Sequence, residues 1–514
     1  LIFFSMSEKT QRDGFMSRPF FSNLPSIQKR QLFRISAFFL VFLPFLILEG
    51  VLRLLSPSWL QSNFDPLLGF SSNQALFELN VTNANYQIKP ERLRSFVQNG
   101  FPNLKTKNTF RIFCLGGSTV QGRPYSVETA FTTWLRIALQ TAYPEKTIEV
   151  VNCGGVSYAS YRLAPILQEC LQNYQPDLIL LCTGNNEFLE DRSYSFTKKA
   201  APLLEPAIHW ASKSKVVQAI MKTGNRWTRS RPQDATLGPQ VNAMLDYERG
   251  IERYHRNEKW KTSVEDHFSL NINRMIGLCR DHKVPAMVVS PCFNLKDTPP
   301  FKSESTPDLS VAQTQQWNSD LESASEFMSQ DLDTALNHLQ KAVKIDNVYA
   351  ATWYDLGQAY LQKGRFQIAK QCFQKALELD ICPLRINTNL RSMLKHTADQ
   401  QSVPYYDLQE LAVKHSSFGI TGSEFLIDHV HPTIRGHQII GLELANLIRS
   451  HWLKPTGLAD LDIQMNAAFE EHLNSIPDVY FLIGMERLKG LKAWTQGRAD
   501  GAPIENHPGV QNGI

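Results

Sequence analysis

With 514 residues the chain is too long for one compact domain of ordinary size, so a large domain with an accessory is expected. Its apolar fraction of 43% argues against wholesale disorder, and 53 Lys and Arg against 49 Asp and Glu give a net charge of only +4. That balance lacks the basic stripe or pole a nucleic-acid partner requires, so no nucleic acid is expected. The eight cysteines form no CxxC pair and have no His-rich companion spacing, so they read as small core residues and leave the redox compartment open.

Leu1 to Phe4 read as an extended or mis-started frame, with Met6 or Met16 as the start. Ile35 to Leu48 is an unbroken apolar run preceded by Lys29, Arg30 and Arg34. Continued to Leu55 it reaches the length of about 20 residues that a spanning helix needs, with only Glu49 and Arg53 near the far end. No small-residue cleavage site follows it, which favours an uncleaved signal anchor over a removable signal peptide. The basic flank places residues 1–34 in the cytoplasm and everything after the transmembrane segment, 35–55, outside. A single-pass membrane protein with an extracytoplasmic (periplasmic or extracellular) main domain is therefore expected. The polar, turn-rich stretch 56–106 reads as a stalk or linker, or an edge strand, leading into the main domain.

From Thr109 the pattern becomes strand, turn, helix. Strands are predicted at Phe110–Leu115, Ile148–Asn152, Leu178–Cys182, Val284–Pro291 and Val403–Leu408. Helices are predicted at Glu128–Tyr143, Tyr161–Asn173, Phe268–His282 and Leu384–His396, with an amphipathic one from Thr433 to Trp452. Strands that alternate with helices, Leu178–Cys182 being apolar throughout, argue for an α/β fold with a doubly wound parallel sheet. The main domain is assigned to 107–327 and 384–455. A charged helical insertion at 191–265 carries no motif, and 456–514 is a helical C-terminal extension.

Between the two parts, Ala335, Leu339 and Ala342 recur thirty-four positions later as Ala369, Phe373 and Ala376. With Trp353, Leu356, Gly357 and Tyr360 these match the pattern of a tetratricopeptide repeat over 328–383, one complete unit and the second half of another. An array that short must pack on the main domain or be completed by neighbouring helices. It reads either as a groove for a protein partner or as a spacer.

Four short segments carry chemistry: Gly116-Gly117-Ser118-Thr119, Asn152-Cys153-Gly154-Gly155, Gly184-Asn185-Asn186-Glu187 and Asp428-His429-Val430-His431-Pro432. Ser118 directly follows a strand and precedes a helix, which sets its hydroxyl at the carboxyl edge of the sheet where α/β folds place ligands. A phosphate cradle is the competing reading, but the Lys of a P-loop and the GxGxxG spacing are both missing. An Asp three residues before a His, in a turn before a helix, brings both side chains to one side. Asp428, His429 and His431 also have spacing that permits a metal, without a third well-placed ligand elsewhere.

The order Gly-Gly-Ser, Asn-x-Gly, Gly-x-Asn-Glu, Asp-x-x-His-Pro resembles that of the SGNH (GDSL-like) hydrolases, over about 107–190, 283–295 and 384–450. The resemblance implies a flavodoxin-like three-layer sandwich with the repeat segment inserted. It implies Ser118 as nucleophile, His431 as base and Asp428 as its orienting partner, with no metal and no organic cofactor. It implies an oxyanion hole from the N–H of Ser118, an N–H of the Gly154 to Ser157 turn, and the Asn186 amide. Ser157 stands where relatives commonly have a second glycine. An esterase acting on an ester-bearing small molecule, lipid or acylated glycan is the expected function. The alternatives are an O-acetyltransferase acting on an envelope polysaccharide and a non-enzymatic repeat-bearing adaptor with a relict core.

Overall fold

The computed structural model describes residues 43–52, 54–55, 75–190, 216, 240–454 and 460–495. These fall into two units. In the smaller, residues 43–52 and 54–55 are helical and expose Phe45, Leu46 and Ile47, and the Glu49 carboxylate accepts the Val216 N–H at 2.9 Å. Among the described residues no helix is long and apolar enough to cross a membrane. Residues 35–42 of the expected anchor, and most of the 191–265 insertion, lie outside the described residues.

The larger unit is built on five parallel strands: β4 (Thr109–Gly116), β5 (Thr147–Gly154), β6 (Leu178–Cys182), β7 (Ala286–Ser290) and β8 (Tyr405–Asp407). Their order is β5-β4-β6-β7-β8, so the chain reverses direction of build at β4. Alternate side chains feed two cores. Phe113, Leu115, Ile179, Leu181 and Val288 lie under α3 (Ser160–Asn173), α4 (Glu258–Asp281) and α9 (Thr388–Gln400). Ile112, Cys114, Leu178, Leu180 and Val289 lie under α2 (Phe131–Ala142), α10 (Leu408–Lys414), α11 (Ile434–Trp452) and α12 (Leu461–Asn474). Strands buried on both faces favour apolar residues on both, which is why the central β6 reads as a continuous hydrophobic run. All eight cysteines are buried and free.

The stretch expected to be a stalk is folded from residue 75 onward. β1 (Phe77–Asn80), β2 (Asn85–Ile88) and β3 (Gly100–Pro102) form an antiparallel sheet. Phe77 and Phe101 pack edge-on to each other and to Phe113 and Tyr174 of the main core, with ring centroids 5.2–6.4 Å apart. The Glu169 carboxylate accepts the N–H groups of Leu76 and Phe77 at 2.6 and 3.1 Å. Strands of three and four residues are too short to show period-two alternation against polar turns, which is why the stretch read as a stalk or edge strand and not as a sheet of its own.

The repeat segment contains α5 (Val311–Phe327), α6 (Leu332–Ile345), α7 (Ala350–Gln362) and α8 (Phe366–Leu379). These are two complete hairpins, one helix more than the pattern revealed. A Cβ on Gly357 would stand 2.7 Å from the Phe373 ring, so glycine lets α7 and α8 touch. Tyr354, Ala369, Phe373 and Leu377 belong to the same core as α3, α4 and α9. Burying a large apolar side chain contributes about 1.5–3 kcal/mol, so this face ties the repeat to the sheet domain. Beyond α12 the chain ends its described part in α13 (Asp478–Thr495).

Candidate active site

The ends of β4, β5 and β6 converge at the carboxyl edge of the sheet. Ser118 opens the one-turn helix α1 (Ser118–Gln121) directly after β4. The loop carrying Asp428 and His431 runs into α11, whose first turn is capped by the Thr433 hydroxyl accepting the Gly436 N–H at 3.0 Å. These elements bring together side chains far apart in sequence. His431 Nε2 lies 2.7 Å from Ser118 Oγ, and His431 Nδ1 lies 2.7 Å from Asp428 Oδ2. The other Asp428 oxygen accepts the backbone N–H groups of Val430 and His431 at 2.9 and 2.8 Å. Asp428 thus fixes its own loop and the imbalance of the imidazole at once: a proton on Nδ1 leaves Nε2 as an acceptor for the serine proton.

Burial by itself would push the Asp428 carboxyl up. The imidazoles of His431 and His429, with the hydrogen bonds from His431, outweigh it and hold the carboxyl well below the usual carboxylate range. Burial pushes His429 down to about 4, against the pull of Asp428. Its ring meets Phe301 edge-on at 5.3 Å, and its carbonyl accepts the Asn294 N–H at 2.8 Å. Asp428, His429 and His431 are the one group among the described residues whose atoms are close enough to hold a metal. Two of the three already spend those atoms on the Ser118 relay.

A small cleft over Ser118 is lined by Gly117, Thr119, Gly184, Asn185, Asn186 and Pro291. The Asn186 amide donates to the Tyr158 carbonyl at 3.1 Å, leaving its second N–H for a ligand. A Cβ on Gly117 would stand 2.4 Å from Asn186 Nδ2, so only glycine lets the amide reach the cleft. Gly117→Ala should therefore displace Asn186 and lower kcat about 100-fold, with the melting temperature nearly unchanged; steady-state kinetics and a thermal scan check it.

The second block narrows to one donor. The Gly154 N–H is spent on Asn152 Oδ1 at 2.9 Å, which removes Gly154 from the expected oxyanion set. Gly155, Val156 and Tyr158 donate to the carbonyls of Gly116, Ser95 and Gly155 at 3.0, 2.8 and 3.1 Å. Ser157 alone in this turn has an N–H with no acceptor among the described residues, and it sits in the left-handed region at φ 61°. There a side chain costs about 1–2 kcal/mol, which explains why glycine is the usual occupant.

Sequence reasoning missed the residues that brace the site. Asn152 Nδ2 donates to the Val120 carbonyl at 2.7 Å and to Thr132 Oγ1 at 2.9 Å, tying β5 to the nucleophile turn. Glu187 accepts the N–H and hydroxyl of Ser160 at 2.8 and 2.9 Å, joining block three to the start of α3. Asn294 donates to the Asp428 carbonyl at 3.3 Å. Asn152 and Glu187 stood inside quoted motifs, whereas nothing around Asn294 marks it.

Family models of the tetratricopeptide repeat match residues 325–364 and 350–380. No curated protein matches the chain in sequence. The fold is similar to a solved lipolytic protein of the G-D-S-L family from Desulfitobacterium hafniense, 9% identical, covering 66% of this chain and 99% of that one, with a TM-score of 0.29. A lipase/acylhydrolase from Enterococcus faecalis is 11% identical over 68% and 100% of the two chains, with a TM-score of 0.30. An acetylxylan esterase from Geobacillus stearothermophilus is 11% identical over 70% and 100%, with a TM-score of 0.31. The chain thus carries tetratricopeptide repeats, while the chemistry of the Ser118 site follows from its own geometry.

Proposed function

We propose that the protein is an SGNH-type serine esterase, anchored in a membrane by residues 35–55 with its catalytic domain outside. The observation that carries the esterase reading is the continuous relay Asp428–His431–Ser118, with both hydrogen bonds at 2.7 Å. In this mechanism Ser118 Oγ attacks the ester carbonyl while its proton passes to His431 Nε2. The negative charge on the former carbonyl oxygen meets the N–H groups of Ser118 and Ser157 and the Asn186 amide. Collapse breaks the ester C–O bond, the alcohol leaves with the proton from His431, and an acyl-serine remains. Water, deprotonated by His431, repeats the sequence and releases the acid. The ester is one borne by a small molecule, a lipid or an acylated glycan. The apolar run with its basic N-terminal flank supports the anchor.

Membranes carrying the full chain, washed with carbonate and treated with a fluorophosphonate probe, test both parts. Label on Ser118 in the pellet is expected. An unlabelled protein would refute the esterase, and labelled protein in the wash would refute the anchor. Acetyl capture by an added glycan faster than by water would move the assignment to an acetyltransferase.

A further inference from the structure

Ser157 is held at a backbone angle that a serine disfavours, and the force that holds it there comes from outside the sheet domain's motifs. The connection between β2 and β3 packs against the second block and the nucleophile helix. The Ser95 carbonyl accepts two hydrogen bonds at 2.8 Å, from the Val156 N–H and from Gln121 Nε2, so one atom joins the donor turn to the nucleophile helix. The Phe96 ring packs edge-on against Tyr158 at 4.8 Å. Asn99 Nδ2 donates to the Asn152 carbonyl at 3.0 Å. Arg92 Nη2 donates to the Tyr158 hydroxyl at 3.3 Å, and its buried Nε and Nη1 have no hydrogen-bond partner among the described residues. Apart from the Gln121 bond, these contacts fall on Asn152, Val156 and Tyr158, in the same segment as Ser157.

We propose that the β2–β3 connection, residues 90–99, is a positioning clamp that holds Ser157 in its left-handed conformation and so keeps its N–H aimed at the oxyanion. This rests on the esterase reading. A glycine populates positive φ without penalty and needs no clamp; a serine released from the clamp relaxes toward negative φ and turns its N–H away. Phe96, Asn99 and Arg92 touch neither the reacting atoms nor Ser118, so they act through the turn.

The test is a double-mutant comparison in the full chain. Phe96→Ala and Asn99→Ala are each made alone and together with Ser157→Gly, and kcat, KM and melting temperature are measured on p-nitrophenyl acetate. Each single variant is expected to lose about 10-fold or more in kcat, a fraction of what deleting a whole donor costs, with KM within about twofold. Adding Ser157→Gly should return most of that loss without raising the melting temperature of the variant to the same degree. A buttress that merely supports the fold would lose the same activity in both backgrounds, and that result overturns the clamp. So does an unchanged kcat in the folded variants. If Phe96→Ala does not fold, the half-buried Asn99 makes the same comparison. Failure of the wild-type Ser118 to take a fluorophosphonate overturns the esterase reading and the clamp with it; a labelled wild type with insensitive variants overturns the clamp alone.

Discussion

Ser118→Ala is expected to lower kcat/KM for p-nitrophenyl acetate by about 10⁴-fold or more and to abolish fluorophosphonate labelling. In the proposed mechanism its oxygen forms the covalent bond, and among the described residues no other hydroxyl bonds His431 Nε2. What survives is turnover by water held against the oxyanion donors, since Ser157 and Asn186 do not depend on the serine side chain. The melting temperature should hold, because the change removes one small, largely buried oxygen and leaves the backbone of α1 intact. Stopped-time assays with active-site titration measure it; a variant within 100-fold of wild type would refute Ser118 as nucleophile.

Asp428→Asn should cost about 10⁴-fold in kcat while leaving the loop folded. Its Oδ1 still accepts the N–H groups of Val430 and His431, so the turn survives. The atom that replaces Oδ2 is the one that matters. An amide N–H facing His431 Nδ1 forces the imidazole proton onto Nε2, which then donates to Ser118 Oγ where it must accept. The loss falls on kcat, with KM near the wild-type value, and Asp428→Asn added to Ser118→Ala should cost little more than Ser118→Ala alone, because the three groups act as one unit. A loss under 10-fold, or full additivity in the double variant, would sink the relay.

The sheet was legible because its strands are sealed on both faces, so Leu178–Cys182 is apolar throughout and 286–289 likewise, with only Ser290 polar at the strand's end. The hydrogen-bonded trio of Ser118, His431 and Asp428 was legible because chemistry restricts residue type, and Asp428 and His431 sit in one turn. Exposure hid other parts. Helix α5 buries only Trp317, Asp320 and Ala324, too few to draw an apolar stripe, so the first hairpin of the repeat was seen as a half. The short strands of the first sheet are recognised by docking onto Phe113 and Tyr174 rather than by their own pattern. Ser157 could be singled out only as a departure from glycine; its φ of 61° and its uncommitted N–H are properties of the folded turn.

Ser118 and His431 are 313 positions apart, with the repeat hairpins threaded between them. On a ribosome adding about 5–20 residues each second, the base follows its nucleophile by roughly 15–60 s. Throughout that interval the emerging polypeptide has Ser118 without the His431 imidazole, while the repeat hairpins between them are synthesised. A chain arrested before the loop that carries Asp428 and His431 would therefore lack both the proposed base and its orienting carboxylate, and in the proposed mechanism would be chemically silent however well its first half had folded.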